Sequence, residues 1–174
     1  MTLRIAAMTA ASMRPNTSPR ALSIGHELGA PALCLEDDIE MAPGALQYML
    51  DFTVPGNLGF IQFFASRAQV NRSAEPGLIR GQRGSSRFLQ ANKYTTDAMQ
   101  KLLTYQKRPG YQESPQSADQ TIGRACVEMK IDHAIHVPVM VQHVGEVSKN
   151  GKHTTLPWWK KAEEIECRVG IRGL

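Results

Sequence analysis

Leu33-Cys34-Leu35-Glu36-Asp37-Asp38-Ile39-Glu40 sets three consecutive carboxylates at the end of a short apolar run. An apolar run of this length, bounded by turn residues, reads as a buried strand over residues 31–35. In open α/β sheets, ligands bind beyond the carboxyl ends of strands. Neighbouring carboxylates there repel one another unless something positive neutralises them. A divalent cation does so, because hard cations prefer oxygen ligands. The plainer alternative is that Asp37 and Asp38 only cap the turn before Pro43. Pro43 and Gly44 then turn the chain into a helix over residues 43–52, with Leu46, Met49 and Leu50 inward, ended before Pro55.

Outward from this stretch, strands and helices alternate. Residues 3–8 read as a first short strand. Ser18-Pro19 gives a helix start, a serine N-cap with proline in the first turn. Ala21, Leu22, Ile24 and Leu28 supply its apolar face and Gly29 its stop. Residues 58–65 form a strongly apolar strand, and residues 66–87 a long Gly-, Arg- and Ser-rich loop without periodicity. A strand resumes at 88–91. Thr95 or Thr96 caps a helix with Met99, Leu102 and Leu103 inward. Ser117 opens another, with Gln120 completing a capping box and Ile122, Cys126 and Met129 at helical spacing. Residues 131–141 hold one or two short strands. This order predicts an α/β fold with a mainly parallel sheet flanked by helices. The expected organisation is one catalytic domain over residues 1–148 and a polar tail over 149–174 carrying a short helix from Pro157-Trp158-Trp159.

Composition narrows the class. Three widely spaced cysteines, Cys34, Cys126 and Cys167, form neither a zinc pattern nor a disulfide framework. Free thiols at apolar positions suggest a reducing compartment, hence the cytoplasm. No apolar run approaches membrane-spanning length, and the first thirteen residues lack the apolar middle of a signal peptide. No Gly-x-Gly-x-x-Gly follows a strand and no P-loop motif occurs. The formal net charge of +4 is uneven: Arg67, Arg72, Arg80, Arg83, Arg87 and Lys93 face only Glu75 between residues 66 and 93. That basic segment suits a phosphorylated or otherwise anionic ligand, although a solvated loop accounts for any one arginine alone.

The order strand, Glu36-Asp37-Asp38, Ile39-Glu40, Pro43-Gly44, helix resembles the metal-binding segment of GT-A glycosyltransferases, in the Glu-Asp-Asp form found in N-acetylglucosaminyltransferases and related sugar transferases. The resemblance implies a Rossmann-like fold, a nucleotide-sugar donor and a Mn²⁺ or Mg²⁺ ion bridging its diphosphate. It makes Asp38 the metal ligand and Asp37 its companion toward ribose or metal-bound water, with Glu36 supporting the turn. The run Gln142-His143-Val144-Gly145-Glu146-Val147-Ser148 resembles a second family block, a strand ending in His-x-Gly-x-x-Ser. His143 then either completes the metal site or is structural, and Gly145 lets backbone approach the diphosphate. His133 and His136 match no metal spacing and read as surface or core.

The run Glu113-Ser114-Pro115-Gln116-Ser117-Ala118-Asp119-Gln120 resembles the loop that delivers a carboxylate before a helix in inverting enzymes of this fold. Asp119 is the candidate base for the acceptor hydroxyl, with Glu113 as substitute; the alternative is an acid placed to suit the helix dipole. Arg14 and Arg20 lie in a block that looks like the family's nucleotide-contacting loop. Arg80, Arg83 and Arg87 are the candidate acceptor contacts. Trp158 and Trp159 either dock the tail or form a lid. The resemblance spans roughly residues 14–148. It departs from the family in length, since only about 35 residues precede the acids where the family places two or more strand-helix units. The expected fold is therefore a GT-A form truncated in its nucleotide half: a minimal family member, one that borrows the nucleobase subsite from a partner, or one that has lost catalysis. The implied activity is hexosyl transfer to an acceptor hydroxyl, with a modified nucleic-acid base as one acceptor that reconciles the acidic and basic segments. The competing expectations are a catalytically weak GT-A-like binding module and a basic nucleic-acid-binding protein. The sequence gives no reading of oligomeric state.

Overall fold

A computed structural model describes residues 17–36, 39–65, 76–82, 89–109, 111 and 118–143, with backbone alone at 17–21, 118, 119 and 143. The chain runs α1 (Thr17–Glu27), β1 (Ala32–Leu35), β2 (Ile39–Met41), α2 (Ala45–Asp51), β3 (Phe60–Gln62), β4 (Gly77–Arg80), β5 (Ala91–Tyr94), α3 (Thr96–Gln106), α4 (Ala118–Glu128), β6 (His133–Val137) and β7 (Val141–His143). Five strands form one sheet in the order β1-β5-β3-β6-β4, and β2 pairs with β7 in a second, two-stranded sheet.

The α/β class holds, but the expectation of a mainly parallel sheet does not. Only β3 and β6 pair in parallel; β1–β5, β3–β5 and β4–β6 are all antiparallel. Alternation of strands and helices suggested crossovers throughout. Instead β5 inserts between β1 and β3 and runs against both, and β4 adds an antiparallel edge. β1, β3 and β6 still share one direction, so their carboxyl ends lie on one side of the sheet.

The period-2 alternation of strand side chains divides the core in two. One face sets Ala32, Phe60 and Tyr94 against Leu22 of α1, Met99 and Leu102 of α3, and Ile122 and Cys126 of α4. The other sets Ile61, Phe63, Ala91 and Ala134 against Ala45 and Met49 of α2 and against Met140 and Val141. Full burial of a side chain such as Met49 contributes roughly 1.5–3 kcal/mol. α1 can lie flush on the sheet because Gly25 has no side chain: a Cβ there would sit 2.6 Å from the Ala32 Cβ. Thr95 is the N-cap of α3; its hydroxyl accepts from the Ala98 amide at 3.2 Å and donates to the Gly59 carbonyl at 3.0 Å.

Several expectations shift. Residues 66–87 are not structureless throughout, since β4 lies within them. Leu46 and Leu28 are exposed rather than inward, whereas Met49 and Leu22 are fully buried. His133 and His136 are core residues. The strand expected at 3–8, the capping serine Ser117 and the tail at 149–174 lie outside the described residues.

Candidate functional site

β1 ends at Leu35, where the Glu36 amide donates to the Gln90 carbonyl at 3.0 Å and so continues the pairing with β5. Asp37 and Asp38 lie outside the described residues, between β1 of the large sheet and β2 of the small one. β2 pairs antiparallel with β7, and Ile39 stands opposite His143. Paired Cα atoms in an antiparallel ladder are about 4.5–5.5 Å apart, and bonded neighbours about 3.8 Å. The Cα atoms of Ile39 and His143 are therefore about 4.5–5.5 Å apart. Two segments separated by a hundred residues of sequence thus meet at the carboxyl end of β1. The small sheet is tied to the large one by Ala42 N–H donating to the Met140 carbonyl at 3.1 Å, and Met140 N–H donating to the Phe63 carbonyl at 2.9 Å. Gly44, at φ +73, then takes the left-handed turn that starts α2, a conformation glycine adopts without Cβ cost.

α2 is held at both its middle and its end. The buried Lys93 ammonium donates to the carbonyls of Met49 (3.1 Å), Leu50 (2.5 Å) and Phe52 (2.7 Å). These are carbonyls that a helix C-terminus leaves without intrahelical partners, at its negative dipole end. Burial lowers the Lys93 pKa and the nearby Asp51 partly opposes this. Lys93 therefore belongs to the interior and not to the basic surface segment in which its sequence position put it. In the middle of α2, the Tyr48 hydroxyl is 2.7 Å from His136 Nε2, and His136 Nδ1 is 2.7 Å from the Pro138 carbonyl. A carbonyl only accepts, so Nδ1 carries the proton and Nε2 accepts from the Tyr48 hydroxyl. Phe52 and Phe63 enclose the imidazole at 5.5 and 5.4 Å between ring centroids. Burial pushes the His136 pKa down, offset in part by the Pro138 carbonyl.

The opposite face of the sheet carries a row of polar side chains that sequence reasoning missed. Cys34 of β1 stands opposite Asn92 of β5, and Asn92 opposite Gln62 of β3. Gln90 precedes Asn92 by two residues, on the same face, and stands across from Glu36. Gln62 and Asn92 are fully buried; Gln90 and Glu36 are half-buried. Gln62 Nε2 donates to the Phe64 carbonyl at 2.6 Å, and Asn92 Nδ2 donates to the Tyr94 hydroxyl at 3.2 Å. Gln62 Oε1 and Gln90 Oε1 are buried with no hydrogen-bond partner. Polar atoms in this state are rare and costly, roughly 1–3 kcal/mol each. The sequence signal was a glutamine inside Phe60-Ile61-Gln62-Phe63, an amide where an apolar strand allows only buried positions.

The remaining candidates are dispersed. Asp119 is in the first turn of α4, at the end opposite the short connection into β6. Arg20 is in the first turns of α1. Arg80 is exposed at the end of β4, with Nη2 at 3.4 Å from Asp132 Oδ2. It pairs with Ala134 near the amino end of β6, on the edge opposite β1. It is therefore remote from the carboxyl end of β1. Arg14, Arg83, Arg87, Glu113, Gly145, Trp158 and Trp159 lie outside the described residues. Among the described residues no group of three His, Cys, Asp or Glu side chains could hold a metal ion; Asp37, Asp38 and the His143 side chain are not among them. Cys34 and Cys126 are free, and burial pushes each thiol up to about 12. Among the described residues no helix is long and apolar enough to cross a membrane. No protein-family model matches the chain, and no curated protein matches it.

Proposed function

We propose that this chain is a metal-dependent glycosyltransferase that moves a sugar from a nucleotide-sugar to an acceptor hydroxyl. The observation that carries the proposal is the β2–β7 register, which sets His143 across from the residue that follows Asp38. The two blocks resembling GT-A motifs are far apart in sequence, and nothing in either block requires that they meet. Their meeting at the carboxyl end of β1 is what a shared donor site needs.

Asp38 and His143 would hold Mn²⁺ or Mg²⁺, with Asp37 beside them; carboxylate oxygen and imidazole nitrogen are a donor set that suits Mn²⁺. When bound, the cation neutralises charge developing on the departing diphosphate. The chain supplies the rest. Lys93 and the Tyr48–His136 pair fix α2, and with it the turn that leads out of the acidic segment. Asp119 takes the proton from the acceptor hydroxyl as that oxygen attacks the anomeric carbon, inverting its configuration. Arg80 lies four strand spacings from β1, about 19 Å. That is beyond reach of the diphosphate and within reach of an extended anionic acceptor such as nucleic acid.

The test is thermal stabilisation by a nucleoside diphosphate with and without Mn²⁺. Ligand at a hundredfold excess over its Kd adds about 2.7 kcal/mol to the wild-type stability. Asp38→Ala removes the Mn²⁺-dependent part while the protein stays folded. Equal responses of wild type and variant refute the site.

A further inference from the structure

The amide row on the α1 face of the sheet uses its nitrogens within the fold, Gln62 Nε2 on the Phe64 carbonyl and Asn92 Nδ2 on the Tyr94 hydroxyl, but leaves the oxygens of Gln62 and Gln90 without a task there. The bond from Gln62 Nε2 to the Phe64 carbonyl accounts for a donor at position 62 but not for a buried Oε1 lacking a partner. Position 90 presents the same excess acceptor two residues along the same face. Both oxygens can only accept, so what completes them must donate and must be uncharged or hydroxyl-rich to enter a buried site. The row begins at Glu36, immediately before Asp37 and Asp38. It passes from half-buried Glu36, just past the carboxyl end of β1, and Gln90, just before the amino end of β5, to fully buried Gln62 and Asn92 two residues further in. A ligand seated beyond the strand ends therefore meets Gln90 first and Gln62 deeper. Asp119 belongs to the helix that packs on this same face through Ile122, Ala125 and Cys126.

We infer that Gln62 and Gln90, flanked by Asn92, form the subsite that accepts hydrogen bonds from the hydroxyls of the transferred sugar. This rests on the glycosyltransferase reading and adds to it the residues that recognise the sugar rather than the nucleotide. The row makes binding depend on the ligand's hydroxyls, because an amide oxygen left without its donor is penalised in the complex as well.

The experiment uses the full chain and calorimetric titration with Mn²⁺, comparing UDP, GDP and dTDP with their glucose, galactose, mannose and N-acetylglucosamine conjugates. Gln62→Met and Gln90→Met keep the length of the side chain and remove its acceptor; at position 62 the bond to the Phe64 carbonyl goes as well, which affects ligand-free stability and is read separately by denaturation. The wild type is expected to bind one nucleotide-sugar more tightly than the matching nucleoside diphosphate. Each variant should lose about tenfold of that increment, the value of one hydrogen bond of about 1.4 kcal/mol. Affinity for the nucleoside diphosphate alone should not change. The half-buried Gln90→Met serves should Gln62→Met fail to fold. Nucleotide-sugar binding unchanged in a folded variant overturns the subsite and leaves the glycosyltransferase reading standing; the row then holds internal water only. Equal loss for the diphosphate and its sugar conjugate also overturns it. A wild type that binds no nucleoside diphosphate with Mn²⁺ overturns both.

Discussion

Acid should weaken this fold most strongly through His133, and the size of the effect follows from its surroundings. Its imidazole is fully buried and stacks on Phe60 at 4.8 Å between centroids and 4° between planes. Its other side is closed by Gly81, where an added Cβ would fall on the ring. Neither ring nitrogen has a hydrogen-bond partner. Burial therefore pushes the pKa from 6.5 down to about 4, against a smaller upward pull from Asp132. A base with a lowered folded pKa binds fewer protons folded than unfolded. Its contribution to stability is complete above 6.5 and is lost as pH falls from 6.5 toward 4. Integrated from pH 8 to pH 4.5, the loss is roughly 2–3 kcal/mol. Urea denaturation of wild type and His133→Leu across this range isolates the effect, because His136 and the carboxylates are common to both. At pH 8 the variant should lie within about 1 kcal/mol of wild type, losing the stack but also two orphaned nitrogens. At pH 4.5 it should be more stable by about 2 kcal/mol. Parallel pH profiles for the two proteins would refute the argument. Donor-binding measurements belong above pH 7 for the same reason.

Lys93→Met should cost about 3 kcal/mol, because it strips three charge-assisted hydrogen bonds from the end of α2 while keeping the aliphatic stem. Chemical denaturation reads this directly, and a change below about 0.5 kcal/mol would mean that water caps the helix equally well. Thr95→Ala should cost about 1 kcal/mol through loss of the α3 cap, checked by the same melts; an unchanged midpoint would show the cap to be dispensable. Asp119→Asn should lower turnover on the order of 10²–10⁴-fold with donor affinity nearly unchanged. Full activity of that variant, or a product of retained configuration, removes Asp119 as the acceptor base.

Local chemistry was legible in the sequence where the interaction that fixes it is itself local. Thr95 caps its helix through an amide three residues on, Gly29 ends α1 at φ +62, and Pro43-Gly44 turns the chain within two residues. β1 was legible because a short apolar run before charged residues has few alternatives. Strand direction was not, because it depends on which distant segment pairs. The sequence of β5, Ala91-Asn92-Lys93-Tyr94, carries no mark of lying antiparallel between β1 and β3. The same residues explain the misplaced lysine. Lys93 alternates with Asn92 and Tyr94, so the pleat sends it to the α2 face while they face α1. A composition argument counts its charge with the neighbouring arginines, yet only the strand's register decides that it meets three carbonyls instead of solvent. Register decides the candidate site in the same way. His143 acquires its place opposite Ile39 only through the β2–β7 pairing, and Gln62 acquires a relation to Gln90 through Asn92. A polar side chain inside an apolar strand, Gln62 within Phe60-Ile61-Gln62-Phe63, is thus readable in advance, but only register decides which neighbours it has.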